Sequence, residues 1–227
     1  MRFDGAVPPV AGDEGVRALS AVHARQIHRD PWPDFAAFDK EAYAEPLRRQ
    51  AADLWRRRSQ MEYASVAQFT RISAELADHL VPLPWHGVFA RIITDEVRHA
   101  EICAQLARAL HPEAVADATY ALPPWPWPKR PTGESWEEVA VWAAHALLVS
   151  SCLGEALSVP SYEALVVVST DRIVTETLQQ IRKDEPLHAT FGWEIVQALV
   201  RDVPAVGPSL QASLGNYLRG FEASMGD

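Results

Sequence analysis

The chain has 227 residues, of which 48% are hydrophobic and 22% charged, so it can bury one sizeable core. Its formal net charge of −9, with no Lys/Arg cluster alternating with aromatics, argues against nucleic acid as the principal partner. The sequence contains neither a basic leader followed by an apolar stretch nor a run of about 18 apolar residues, so we expect a cytoplasmic protein without a membrane partner. Two cysteines are too few for a disulfide framework.

Residues 1–45 are expected to form an N-terminal extension that wraps a helical core. They are rich in Pro, Gly and Asp, with one helical stretch near 13–29, followed by the Pro-punctuated sequence DPWPDF. Helical periodicity then predicts a long helix from about Pro46 to Leu80 and, after the breaker VPLPWHG, a second from about 85 to 110.

The second half of the chain begins after a proline-rich connection. Residues 111–133 contain LPPWPWPKRPTG, which predicts a long crossover without regular helix. A third helix is expected from Glu134 to about Val159, where Pro160 ends or kinks it, with a further turn or two over 161–169. A fourth long helix is predicted over 171–200, and an amphipathic helix over 208–224 is expected to pack outside the others.

These elements predict an all-α fold. The one β-like run, LVVVST at 165–170, is too isolated to build a sheet. Two helix pairs joined by a long crossover predict a four-helix bundle over 46–200 of the ferritin-like topology, followed by a C-terminal helix within 201–227.

One motif occurs twice, as DEVRHAE at 95–101 and DEPLHAT at 184–190. Both copies read Asp-Glu-x-x-His, and chance would give such a pair with a probability of roughly 0.001. On a helix, Glu and His three positions apart share a face, so each copy can direct a carboxylate and an imidazole at one metal. The repeated motif therefore predicts two metal half-sites.

Each motif helix is preceded by a helix whose apolar stripe contains one isolated carboxylate, Glu62 in the first half and Glu155 in the second. A core-facing carboxylate must be protonated, ion-paired or metal-bound. Four carboxylates and two imidazoles suit two divalent first-row metals with open positions. The predicted ligands and catalytic residues are Glu62, Glu96, His99, Glu155, Glu185 and His188.

This ligand set resembles that of the di-iron carboxylate proteins of the ferritin-like superfamily, over about residues 46–200. The resemblance implies two iron ions, with manganese possible at one or both sites. It also implies that Asp95 and Asp184 accept the remote N–H of the ligand histidines and so orient them. The alternative for this pair is solvated acids on a helix surface.

Small residues near the expected metals predict space for an organic substrate. Gly within a helix is disfavoured unless space is needed, and Cys103 follows His99 by one turn. His145 is a candidate extra ligand, although a hydrogen-bonded core histidine is the favoured interpretation, and packing is favoured over electron transfer for Trp193. The predicted pocket residues are Cys103, Ser151, Cys152, Ser158 and Gly192.

The favoured function is an O2-activating oxidase or monooxygenase acting on a small or medium organic molecule. The chain has no Cys-x-x-Cys module, so we expect an external electron donor, and we expect a monomer or homodimer. Two alternatives stay open: a ferroxidase, iron-storage or peroxide-detoxifying protein, and a metal-free interaction bundle. A ribonucleotide reductase small subunit is not favoured, because Cys103 stands where that family has its radical tyrosine.

Overall fold

The computed structural model describes residues 14–28, 31–115 and 135–225, and within these residues all regular structure is helical. The predicted all-α class is therefore confirmed for this part of the chain, and residues 165–168 of the β-like run are helical. The longer helices are α1 Glu14–Ile27, α2 Glu45–Ala77, α3 Leu83–Leu110, α5 Trp136–Leu147, α6 Ala156–Val168, α7 Arg172–Arg182, α8 Glu185–Asp202 and α9 Val206–Met225, with a short α4 at Pro112–Val115.

Four helices lie close to the positions that the sequence predicts, namely α1, α2, α3 and α9. Of the predicted extension, residues 1–13 and 29–30 lie outside the described residues, as does 116–134 of the predicted crossover. Helix α5 begins at Trp136, where the hydroxyl of Ser135 accepts the N–H of Glu138 and so caps the helix.

Of the two alternatives predicted at Pro160, an end or a kink, the structure excludes the end. Helix α5 continues into a π-helical segment, Leu148–Glu155, and then into α6, which runs through Pro160 to Val168. Pro160 lies about one turn beyond the junction between the π segment and α6, where the backbone hydrogen-bond pattern already changes. A proline is tolerated more readily there than in an uninterrupted α-helix.

The fourth predicted helix is wrong as a single element, because it is broken into α7 and α8 at Lys183 and Asp184. Pro186 explains the break: it has no backbone N–H, and its ring clashes with the carbonyl four residues earlier. In the structure Pro186 occupies the first turn of α8, where the missing donor costs little. The second Glu-x-x-His motif therefore opens a helix, whereas the first lies inside one.

The chain forms two compact units, each made of several segments. Unit 1 comprises the described parts of Met1–Phe69, Ala90–Trp125 and Tyr162–Lys183; unit 2 comprises those of Thr70–Phe89, Pro126–Ser161 and Asp184–Asp227.

Unit 1 is held together by two buried apolar clusters and one buried cation. The Arg98 guanidinium is fully buried; its Nε donates to the carbonyl of Ile27 at 3.0 Å and it also binds Gln180, so α3 is joined to α1 and α7. The first cluster contains Phe38, Ala52, Leu106, Leu110 and Ile173. The second, here called the Tyr162 cluster, contains Ile102, Cys103, Tyr162, Leu178 and Ile181.

Unit 2 depends on a close approach between α8 and the π segment. A Cβ on Gly192 would lie 2.5 Å from both Cβ and Oγ of Ser151. The hydroxyl of Ser151 also donates to the backbone carbonyl of His188, one turn before Gly192. The glycine thus permits close packing of α8 against Ser151; a substrate role for Ser151 and Gly192 stays a prediction.

One helical run among the described residues, Trp136–Val168, is long and apolar enough to cross a membrane by length and composition. Of its most apolar window, 61% is buried within the protein, so this is weak evidence for a membrane span.

Replacement of Gly192 by alanine is expected to destabilise the fold by about 1–3 kcal/mol, because the new methyl group overlaps Ser151. The control is Gly220→Ala in α9, where a Cβ meets nothing within 4 Å; it should be neutral or stabilising by about 0.5–1 kcal/mol. Urea unfolding followed by circular dichroism measures both. Equal stability of the two variants would contradict the close approach.

Candidate metal centre

In unit 1, helices α2 and α3 bring together three predicted ligands. Glu96 and His99 are 1% and 0% exposed and share one face of α3, and Glu62 reaches them from α2. The two helices are joined beside this group by the Ser59 hydroxyl, which donates to the carbonyl of Ala100 at 2.7 Å. One ligand atom from each of Glu62, Glu96 and His99 lies within 4.8 Å of the others, so these residues form a group that could hold a metal ion.

The two oxygens of Glu62 have different surroundings. Oε1 accepts a hydrogen bond from the Tyr162 hydroxyl at 3.2 Å and lies 3.4 Å from Nε of Arg58. Oε2 lies 3.9 Å from Nδ1 of His99. One oxygen is therefore held by donors, and the other faces the imidazole of the ligand group.

Arg58 is itself fixed by Tyr162. Its Nε donates to the phenol oxygen at 2.7 Å, and its guanidinium carbon lies 4.3 Å from the centroid of the ring. Burial lowers the pKa of Arg58, but its interactions with Tyr162, Glu62 and Cys103 outweigh that effect, so the pKa is raised above its ordinary value. Arg58 is a permanent cation next to the ligand group.

In unit 2, the second set of predicted ligands lies at the ends of two helical elements. Glu155 is the last residue of the π segment, Glu185 is the first of α8, and His188 follows within the first turn of α8. The Ser158 hydroxyl lies 2.7 Å from Oε2 of Glu185 and 3.4 Å from Oε2 of Glu155. Ser158 thus brings the two carboxylates to one hydroxyl group.

The donor chemistry fits a first-row divalent metal. Carboxylate and imidazole donors suit iron or manganese, whereas a thiolate site needs ionised cysteines. Cys103 and Cys152 are both buried and free of disulfide, as predicted. Burial raises the pKa of Cys152 to about 12, which favours the protonated thiol.

The acidic residues that precede the ligand glutamates are buried. Asp95 is 0% exposed and Asp184 is 4% exposed. The two oxygens of Asp95 accept hydrogen bonds from the Nε–H of Arg91, at 2.9 and 2.8 Å. Burial excludes the alternative of solvated surface acids. Their predicted role in orienting the histidines stays a prediction.

His145 matches the favoured interpretation of a hydrogen-bonded core histidine. Its Nε2 lies 2.8 Å from the hydroxyl of Ser209, and its Nδ1 lies 2.8 Å from that of Tyr217, both on α9. Each ring nitrogen therefore has a protein partner within unit 2, so His145 is not available as an extra ligand in this arrangement.

The described cavity that includes Trp193 lies in unit 2 and has a volume of about 400 Å³. Trp193 is 41% exposed, and the other lining residues come from α8, α9 and Leu148. None of the predicted pocket residues lines this cavity. A substrate role for Cys103, Cys152 and Ser158 stays a prediction, as does the choice between packing and electron transfer for Trp193.

Sequence reasoning missed two residues that contact a predicted ligand, Arg58 and Tyr162. Arg58 precedes Glu62 by four residues on α2, and this spacing alone suggests an ion pair. Tyr162 had no comparable signal, because the helix was expected to end or kink at Pro160.

Comparisons with known protein families, curated proteins and solved structures give no match to the chain. The case for a metal centre therefore depends on the sequence pattern and on the geometry of the ligands.

Stability should fall in mildly acidic solution partly because of His145. Burial lowers the pKa of His145, so the folded state binds its proton less readily than the unfolded state, and stability is lost as the pH falls below the ordinary pKa of histidine. His145→Gln keeps hydrogen-bonding capacity but does not titrate. The free energy of unfolding, measured with urea between pH 7.5 and 5, should depend less on pH in this variant than in the wild type. The difference in slope should be up to about 1.4 kcal/mol per pH unit. Identical slopes would contradict this assignment.

Proposed function

We propose that the chain is an O2-activating non-haem di-iron oxidoreductase, with manganese possible at one or both sites, that oxidises a small or medium organic molecule. The observation that carries the proposal is the group Glu62, Glu96 and His99, of which Glu96 and His99 are buried and whose ligand atoms lie within 4.8 Å of one another. The second set, Glu155, Glu185 and His188, has the same composition. Two sets of two carboxylates and one imidazole match two iron ions with open positions.

The proposal includes the ferritin-like four-helix bundle over 46–200 with one long crossover. It is supported by the resemblance of the six ligands to the di-iron carboxylate proteins and by the long helices α2 and α3. The π segment that ends at Glu155 adds support, because π-helical segments in α-helices are frequent at functional sites.

When bound, two iron ions supply the electrons and open positions through which O2 is activated. The chain supplies the ligands, and it fixes Glu62 through Tyr162 and Arg58. The fully buried Ile102, Cys103 and Ile181 of the Tyr162 cluster keep water from this side of unit 1. Insertion of one oxygen atom into a substrate consumes O2, two electrons and two protons and releases water, so an external electron donor completes the proposal.

The alternatives receive less support. A metal-free interaction bundle has no use for a repeated Glu-x-x-His motif whose glutamates, Glu96 and Glu185, are 1% and 2% exposed. A ferroxidase or iron-storage protein uses similar ligands, and it is distinguished from an oxygenase by what happens to excess iron. A cytoplasmic monomer or homodimer belongs to the same proposal.

Anaerobic loading with Fe(II) should give about two metal ions per chain, one for each ligand set. Glu96→Gln and Glu185→Gln should each lower this number while helicity is retained, because each removes one ligand charge from a carboxylate-rich site. Glu101→Gln in α3 and Glu194→Gln in α8 are matched controls on the same helices and should keep two. Metal analysis after desalting measures the number of metal ions per chain. A value of one or zero in the wild type would reject a dinuclear centre.

Aerobic mixing with a large excess of Fe(II) separates an oxygenase from a storage protein. An oxygenase keeps its two irons and cycles them, whereas a storage protein moves oxidised iron into a closed shell. We expect about two irons per chain and a monomer or dimer by light scattering. Soluble ferric loading of tens of irons per chain in a large hollow assembly would favour storage instead.

A further inference from the structure

The contacts of Glu62 suggest a specific way in which this residue binds metal. The carboxylate has one oxygen, Oε1, near the Tyr162 hydroxyl and Arg58, and a second, Oε2, near the imidazole of His99. The side chain of Glu62 is 12% exposed, so water competes little for either oxygen. The two oxygens are therefore chemically distinct before any metal binds.

Arg58 sets the direction of the Tyr162 hydrogen. A phenol oxygen carries one hydrogen and can also accept one. The Tyr162 oxygen accepts the Nε–H of Arg58 at 2.7 Å. Its own O–H is then directed to Oε1 of Glu62 at 3.2 Å. The guanidinium lies over the phenol ring with its carbon 4.3 Å from the centroid, which holds the two groups in this order.

Tyr162 cannot easily turn away from Glu62. It is 1% exposed and packs in the Tyr162 cluster with Ile102, Cys103 and Ile181. A phenol buried on this scale keeps its hydroxyl where a polar partner is available, because the alternative is an unsatisfied polar group in an apolar core. The hydrogen bond to Glu62 is therefore built into the packing of unit 1.

We infer that Arg58 and Tyr162 are positioning residues that hold Oε1 of Glu62 and leave Oε2 as its single metal-binding atom. The inference rests on the proposed function. A carboxylate that binds through one oxygen occupies one coordination position, whereas a chelating carboxylate occupies two. With a metal bound, the Arg58–Tyr162 pair would thus restrict Glu62 to one coordination position instead of two.

The test uses the full chain loaded anaerobically with Co(II), whose visible absorbance per ion falls as the coordination number rises. Infrared difference spectra of loaded and metal-free protein report whether carboxylates bind through one oxygen or two. The variants are Tyr162→Phe, which removes the hydroxyl but keeps the ring, and Arg58→Lys, which keeps the charge but not the planar stack. The controls are Tyr63→Phe and Arg57→Lys, which alter exposed neighbours on α2.

Tyr162→Phe should lower the affinity for one of the two cobalt ions by about 10- to 100-fold, as expected for loss of a group that orients a ligand. Its cobalt absorbance should fall, and its carboxylate bands should shift toward the chelating pattern. Arg58→Lys should change both spectra in the same direction, and it carries the test if Tyr162→Phe does not fold. The two controls should match the wild type.

Three outcomes would overturn the inference. Unchanged spectra in both variants, with two cobalt ions bound, would reject the positioning role and leave the metal centre intact. Weaker binding without a change in the carboxylate bands would show that Tyr162 acts through stability alone. Failure of the wild-type chain to bind Co(II) would reject the proposed function together with this inference.

Discussion

Carboxylates inside a helical core set the main physical constraint on this chain. Glu96 and Glu185 are 1% and 2% exposed, and an isolated buried carboxylate costs far more than a small domain can offset. Each therefore needs a donor, a proton or a metal. The donors around the described ligands follow from this need: a phenol and a guanidinium at Glu62, and the Ser158 hydroxyl at Glu155 and Glu185.

The sequence predicts helices well where apolar residues repeat without interruption. Helices α2 and α3 have few strong breakers, and their predicted ends are within a few residues of those in the structure. The effect of proline was harder to predict. The sequence left an end or a kink open at Pro160, and α6 passes through it. Pro186 was given too little weight, since it lies in the first turn of α8, after the break that separates α7 from α8. The effect of a proline depends on whether the backbone at that position needs the N–H that proline lacks. The periodicity of apolar residues carries no information on this.

The grouping of Glu62, Glu96 and His99 in unit 1 was predictable because part of their spacing is local. Glu96 and His99 share a helix face by geometry, and Glu62 is a charge in an apolar stripe. The residues that position them depend on packing between distant segments. Tyr162 is 100 residues from Glu62 in sequence, and no spacing rule connects the two. Gly192 shows the same limit, because its close approach to Ser151, 41 residues earlier in the chain, follows from no spacing rule.

The π segment shows that the reason for selecting Glu155 from the sequence was incomplete. Glu155 was selected as an isolated carboxylate in the apolar stripe of an expected α-helix, in which residues seven apart, such as Leu148 and Glu155, share a face. In the segment Leu148–Glu155 the hydrogen bonds reach one residue further, so each residue turns through a smaller angle and seven residues no longer complete two turns. What associates Glu155 with Glu185 is the hydroxyl of Ser158, within reach of both carboxylates. A wider turn just before a ligand changes which side chains follow it on the same face, and a strict heptad interpretation of this helix would misplace Ser158 and Tyr162.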